Sequence, residues 1–516
     1  MAGYNIISAT QVADRLDAEY YGKVLLENEQ KLASFQQITL ENVVKNEKNA
    51  IADLTSNGSF EFLRGIEFNA DSGIPFIRTQ NLMDGYIDNQ DMLFVSVTSK
   101  EKVSKSLCKT GDLVVCRKGK VGAASAISPE MDGAAISENV TRFRLKEDSD
   151  ADFLSAFLNS KQGRTRFLRE ATGVIQKWIN NEKLRQIKVI QLNNLVEKYI
   201  GDKVRQAELL REWKKRQQKQ LNELEAKIGI SKPQEQEHSS IKVVKHALTE
   251  NRLDSKYYQR KYLDLYAQFN HEYVKLSELC SGFKYGASVA AQYTEQGVPF
   301  IRGNAIYPNG INSKDIVKLD ENLNDSLGSC FTALNDILIT RSGTVGVTTF
   351  VSEKFENFAY GSFIIKCKII DNGYLPEYVS WFLNCWVGQQ QFRRLENGAV
   401  QLNINIEELG SINIWKAPME LQLLIKSKIH QINICELLID HVLTSSKLLV
   451  EGLIEGTITE DDLIQAQNAL EQGDISLDRA ILSQMTEDGY AVAGSKPLFS
   501  DLDEFYDLLE QAKALE

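Results

Sequence analysis

No two cysteines in this sequence stand as C-x-x-C, and the seven present (Cys108, Cys116, Cys280, Cys330, Cys367, Cys385, Cys435) are odd in number and scattered. That spacing supports neither a zinc knuckle nor a disulfide framework, and fits a reducing compartment. The five histidines, His238, His246, His271, His430 and His441, form no H-x-x-x-H or H-E-x-x-H pair, so metal catalysis has no support. There is no G-x-x-x-x-G-K-[ST] phosphate loop, and none of the eight prolines lies in the [N/D]-P-P-[Y/F] loop that methyl transfer to a base amine would call for. No apolar run approaches the ~18 residues of a membrane span, and the start, Met-Ala-Gly-Tyr-Asn-Ile, lacks a basic segment followed by an apolar one. The expectation is a soluble, cytoplasmic, non-catalytic chain with no metal or cofactor of its own.

What is present is ordinary in bulk and unusual in distribution. Over 516 residues, 43% hydrophobic and 25% charged content is that of a folded protein with two or three cores. The formal charge of −11 is concentrated at one end: residues 451–516 carry sixteen carboxylates against Arg479, Lys496 and Lys513, which leaves residues 1–450 slightly basic.

The chain repeats itself. Arg15-Leu16-Asp17-Ala18-Glu19-Tyr20-Tyr21 shares its frame with Arg252-Leu253-Asp254-Ser255-Lys256-Tyr257-Tyr258. Gly73-Ile74-Pro75-Phe76-Ile77-Arg78 matches Gly297-Val298-Pro299-Phe300-Ile301-Arg302 at a shift of 224, and the run from Asp112 to Gly122 matches that from Asp336 to Gly346 at the same shift. Further on the shift is 225, pairing Gly163 with Gly388, Phe167 with Phe392, Gln176 with Gln401 and Asn180 with Asn405. So many matches in order mean a duplicated unit.

Each copy reads as a short helical start, a run of short strands (Leu113 to Cys116, Ile337 to Thr340, Phe363 to Ile370), a helix, and a long closing helix over 193–229 or 419–456. The stripes Ile200, Val204, Ala207, Leu210 and Ile425, Ile429, Ile432, Cys435 require partner helices. At ~1.5 Å per residue each helix would extend roughly 55 Å. The predicted architecture is α+β: an N-terminal helical segment (1–35), a mixed domain (36–192), a spacer helix (193–229), a linker (230–250), a second helical segment (251–272), a second mixed domain (273–418), a second spacer helix (419–458) antiparallel to the first, and an acidic extension (459–516). Within the extension, Thr459-Glu460-Asp461-Asp462 has the form of a capping box, and Leu498, Leu502, Phe505 and Leu508 have helical spacing.

The R-x-G-x-V-G segments place Arg117, Lys118 and Lys120, or Arg341, Ser342 and Thr344, at a turn after a strand. An arginine there suits guanine O6 and N7, and lysine, serine or threonine suits phosphate oxygens. For one copy alone a solvated hairpin is the plainer reading; repetition favours contact with DNA. Arg78 with Gln80 and Asn81, and Arg302 with Asn304, offer base-edge chemistry, with a structural ion pair as the equal alternative for each arginine. Gln176, Lys177, Gln401 and Asn403 fall in loops before the closing helices, where adenine contact and local turn bonding compete. Tyr20, Tyr21, Tyr257 and Tyr258 are assigned to packing or partner binding rather than to stacking on bases.

Taken together, the paired P-F-I-R segments, the paired R-x-G-x-V-G segments, the Gly-to-Asn stretches (Gly173 to Asn180, Gly398 to Asn405) and the closing helices resemble the DNA specificity (S) subunit of type I restriction-modification systems over about residues 10–458. The resemblance implies two target-recognition domains reading a bipartite site in double-stranded DNA. It further implies two DNA methyltransferase subunits that bring S-adenosylmethionine, restriction endonuclease/translocase subunits as further partners, and a role in phage defence. A two-subunit system cutting on both sides of its site, or a duplicated protein-binding scaffold, are the alternatives. The acidic extension exceeds the minimal family pattern, with partner docking, mimicry of DNA or solubilisation as its open roles.

Overall fold

The computed structural model describes residues 17–173, 175–232, 252, 254–289, 293–398 and 401–514. Arg15, Leu16 and Leu253 of the repeated frame, and most of the expected linker, lie outside them. The chain divides into two compact units, residues 1–213 with 435–516, and residues 214–434, so the division falls inside both long helices.

In the first unit, β1 (Gln36–Thr39) pairs antiparallel with the last strand, β10 (Lys188–Gln191). Between them run β2 (Ile51–Ala52), β3 (Phe68–Asn69), β4 (Ile74–Ile77), β5 (Leu93–Val95), β6 (Leu113–Cys116), β7 (Ala124–Ala126), β8 (Ala135–Ile136) and β9 (Val140–Phe143). They form two four-stranded sheets, ordered β2-β9-β6-β7 and β3-β5-β4-β8, the second closed by the parallel pair β4 and β8.

The second unit holds β11 (Tyr273–Lys275), β12 (Cys280–Tyr285), β13 (Tyr293–Thr294), β14 (Val298–Ile301), a hairpin of β15 (Ile306–Tyr307) and β16 (Gly310–Ile311), β17 (Val317–Leu319), β18 (Asp336–Thr340), β19 (Thr348–Phe350), β20 (Ala359–Tyr360), β21 (Ile364–Ile369) and β22 (Asn413–Trp415). Here β11 pairs with β22, and the sheets run β12-β21-β18-β19 and β13-β17-β14-β20, with β14 parallel to β20. Strand order and sense are the same in the two units, the β15–β16 hairpin apart. The central strands β6 and β18 are buried along their whole length, as unbroken β-branched and aliphatic runs require when both faces are covered.

Helices Ala151–Asn159 and Lys161–Glu170 pack beside the first pair of sheets, and Pro376–Asn384 with Trp386–Leu395 beside the second. Asp150 caps one by accepting from two backbone amides; Pro376 starts the other at a position whose N–H has no helical acceptor. The shared Phe167 and Phe392 explain the closing glycine of each R-x-G-x-V-G segment. Gly122 has φ +85° and a Cβ there would stand 2.4 Å from the Phe167 ring; Gly346 has φ +89° and the same conflict, 2.6 Å, with Phe392.

The long helices are Asn194–Glu223, continued by a 3-10 turn Leu224–Ile228, and Met419–Glu455. Ile200, Val204, Ala207, Leu210, Ile425, Ile429 and Cys435 of the two stripes are buried and Ile432 half-buried. Within the first unit the Cys435 thiol donates to the Leu210 carbonyl (3.2 Å); within the second, Lys428 Nζ donates to Gln217 Oε1 (3.0 Å) and Gln220 Oε1 (2.7 Å). Rising numbers on one helix meet falling numbers on the other, as antiparallel packing requires.

The acidic extension is folded against the first unit. Helices Glu460–Glu471, Ser476–Ser483 and Leu502–Lys513 follow one another, the first opened by the expected capping box at Thr459. Asp478 is fully buried and accepts from Lys203 Nζ (2.5 Å), Tyr199 OH (2.6 Å) and Tyr506 OH (2.7 Å). Burial alone would raise its pKa, but Lys203 and the two hydroxyls hold the carboxyl below its ordinary range.

Candidate nucleic-acid interface

In each unit the turn after the central strand meets the loop before a short capped helix. In the first, the turn after β6 bonds to the loop before helix Asn181–Arg185: Gly119 N donates to Lys177 O, Ile179 N to Arg117 O (2.9 Å), and Lys118 is bridged to Trp178. The segment after β4 closes the cluster, since a Cβ on Gly119 would lie 3.3 Å from Thr79 and 3.7 Å from the Gln176 amide. In the second unit Gly343 N donates to Leu402 O (3.1 Å), Ile404 N to Arg341 O (3.0 Å), and Ser342 is bridged to Asn403. Asn180 and Asn405, matched in sequence, each cap the short helix that follows, which fixes the loop end.

On this common scaffold the exposed side chains differ. The first unit presents Gln80, Lys118, Lys120 and Gln176, with Lys177 half-buried and 3.0 Å from Glu19. The second presents Asn304, Thr344 and Gln401, with Ser342 and Asn403 half-buried. Amides, hydroxyls and ammonium groups of this kind suit base edges and phosphates. Asn81 belongs to the scaffold instead. It is 1% exposed, its amide donates to Asp88 O and Gln90 O, and its oxygen accepts from Arg78 N, so it has nothing left for a base.

The four motif arginines are held in different ways. Arg117 pairs with buried Asp53 (3.1 Å) and donates to Glu138 O; Asp53 also accepts from Thr55 and Asn181. The charge of Arg117 offsets a buried carboxylate, which would be costly to leave alone. Arg78 donates to Asp91 O. Arg302 instead lies over the Tyr293 ring (5.6 Å to its centroid) and Arg341 over that of Tyr285 (4.6 Å).

Of the two roles expected of the tyrosine pairs, packing within the unit is the one the contacts describe. Tyr21, Tyr257 and Tyr258 are buried and Tyr20 half-buried. Arg169 stacks on Tyr20 (4.1 Å) and its counterpart Arg394 on Tyr257 (3.9 Å), so each pair is fastened to a helix of its own unit. The rest of the frame serves the same purpose: Arg252 donates to Glu408 (3.1 Å) and Asp254 (2.8 Å), and Asp254 accepts from Tyr257 N.

Sequence reasoning missed Asp53, Tyr285 and Tyr293, which decide what each arginine does, and exposed Ile175, Trp178 and Phe363 beside the loops. Their sequence neighbourhoods have diverged between the copies, so self-comparison carries no signal for them.

No protein-family model and no curated relative matches the chain. Among solved structures, the chain is similar to a type I restriction-modification S subunit from M. genitalium, at 13% identity and TM-score 0.41 over 81% of this chain and 95% of that one. It is also similar to a chain from a study of complex assembly and conformational transition of the type I restriction-modification system (13% identity, TM-score 0.29, covering 84% and 97%). A third similar structure is the HsdS subunit from Thermoanaerobacter tengcongensis (12% identity, TM-score 0.27, covering 82% and 97%).

Proposed function

We propose that this chain is the DNA specificity subunit of a type I restriction-modification assembly, reading one half of a bipartite site with each unit and leaving methyl transfer and cleavage to partner subunits. The observation that carries this reading is the contrast between scaffold and tips. The residues that shape the loop cluster recur in both units: Gly122 and Gly346 on their phenylalanines, Asn180 and Asn405 as caps. Most of the tips do not: Gln80, Lys118 and Lys120 stand where the second unit has Asn304, Ser342 and Thr344, while Gln176 and Gln401 agree. Reading two different half-sites demands different chemistry at the tips of a shared scaffold. Base contacts specify and phosphate contacts position, and the tips carry both chemistries. S-adenosylmethionine belongs to the methyltransferase partners in this reading.

The test is a genome-wide map of methylated positions in a host expressing the chain with its methyltransferase subunits. One motif split into two parts by an unread spacer is expected, with binding of the assembled complex weakening steeply as salt rises. A continuous motif, or salt-insensitive association with protein and none with DNA, would overturn the proposal.

A further inference from the structure

The strand register identifies the residue that distinguishes the two motif arginines. In the first unit Phe143 of β9 pairs with Ile51 of β2; in the second, Cys367 of β21, its equivalent at the 224 shift, pairs with Phe283 of β12. Two residues beyond Ile51 is Asp53, and two beyond Phe283 is Tyr285. The same structural position thus holds a carboxylate against Arg117 and an aromatic ring against Arg341. A carboxylate consumes a guanidinium's hydrogen bonds, whereas a ring supports its face and leaves the fork of N–H groups available.

The consequences are visible in the hydrogen bonding. Among the described residues no carboxylate lies within ion-pair distance of Arg302 or Arg341, and neither guanidinium donates a hydrogen bond. Arg78 and Arg117, by contrast, are both engaged. Arg302 and Arg341 both lie near one exposed residue: Arg341 N donates to Phe363 O (2.8 Å), and a Cβ on Gly303, next to Arg302, would lie 3.9 Å from that of Phe363, which is 55% exposed. Tyr285 is itself fixed, its hydroxyl accepting from Ile406 N at the capped helix start (3.3 Å). Two stacked, hydrogen-bond-free arginines form a preorganised donor pair.

We infer that Arg302 and Arg341, held on Tyr293 and Tyr285, read guanine in the half-site of the second unit, and that the first unit reads its half without the equivalent arginines, through amides and lysines. The inference rests on the DNA-reading function proposed above and specifies its chemistry. A bidentate arginine requires both O6 and N7 of guanine, so replacing N7 by carbon removes one acceptor while preserving base pairing.

The experiment uses the complete complex of this chain with its methyltransferase subunits. Exchanging residues 273–418 for those of a relative first assigns one half-site to the second unit. Duplexes carrying 7-deazaguanine at each guanine of that half, on either strand, are then titrated. At one or two positions the wild-type complex is expected to bind about 5- to 150-fold more weakly, the range set by one bidentate contact. Arg341→Ala or Arg302→Ala should bind normal and modified duplexes alike at the position it reads. Tyr285→Asp, which installs the residue of the first unit, should behave as Arg341→Ala, and Tyr285→Phe should stay close to wild type. If Tyr285→Asp does not assemble, the arginine variants alone decide. A second half-site without guanine on either strand, or one insensitive to every 7-deazaguanine while binding stays specific, overturns the inference and leaves the functional proposal standing. Loss of all sequence preference in the wild-type complex would overturn both.

Discussion

A position with φ at +85° and a phenylalanine ring 2.4 Å from where a Cβ would stand accepts no residue but glycine, and this is the state of Gly122. The first glycine of the matching segment in the second unit is less constrained. Gly343 has φ +79°, with nothing within 4 Å of its would-be Cβ. Both carry the left-handed backbone cost of roughly 1–3 kcal/mol, and only Gly122 adds the overpacking cost of similar size. Gly122→Ala is therefore expected to destabilise the protein by about 2–6 kcal/mol and Gly343→Ala by about 1–3 kcal/mol, measured by denaturant unfolding. Equal effects would show that the ring contact carries no weight. The same reasoning separates the motif's roles: its second glycine serves the core, and its exposed tips are left to vary.

The long helices and the extension show a different dependence on chemistry. Lys203 and Asp478, 275 residues apart, form a pair with no solvent exposure, and the aspartate is shared with two tyrosine hydroxyls. Removing one member of such a pair leaves a buried charge and typically costs about 3–5 kcal/mol. Lys203→Met should lose stability on that scale, whereas Lys203→Met with Asp478→Asn, whose amide removes the charge, accepting from one hydroxyl through its oxygen and donating to the other through its nitrogen, should recover more than half. A double variant as unstable as the single one would refute the electrostatic account. This pair also marks the limit of what the sequence makes legible. The repeated elements were readable because the constraints recur: Gly122 and Phe167 reappear 224 and 225 residues later as Gly346 and Phe392. The extension has no second copy, so its first and last helices are legible from the Thr459 capping box and the spacing of Leu502, Phe505 and Leu508, with Leu498 outside the helix, while the helix Ser476–Ser483 and the docking are not. Asp53 and Tyr285 were hidden for a related reason: they correspond through strand register, after their flanking sequence had diverged. The ion pair of Arg117 is not legible in sequence because Asp53 lies 64 positions away.

At the scale of the whole molecule the question is whether two cores built to one plan act as independent readers. The sheets of each unit close on themselves: β1 finds its partner in β10 and β11 in β22, so the first and last strands of each mixed domain are tied to one another. Within the first, Arg166 is buried and bonded to Glu29, Gln37 and Lys188 O, which joins the helical start to both strands of that tie. A segment secured in this way can be replaced without cutting a shared sheet. Exchanging residues 36–192 for those of a relative is accordingly expected to change one half of the methylated motif and leave the other half and the spacer length intact, as read by methylation mapping. Replacing only the exposed tips Gln80, Lys118, Lys120 and Gln176 by alanine should weaken methylation through the same half, with the lysine changes also flattening the salt dependence by about one unit of slope each. If either change altered both halves together, the two units would not be separate readers, and the meaning assigned to their divergent tips would fail with that result.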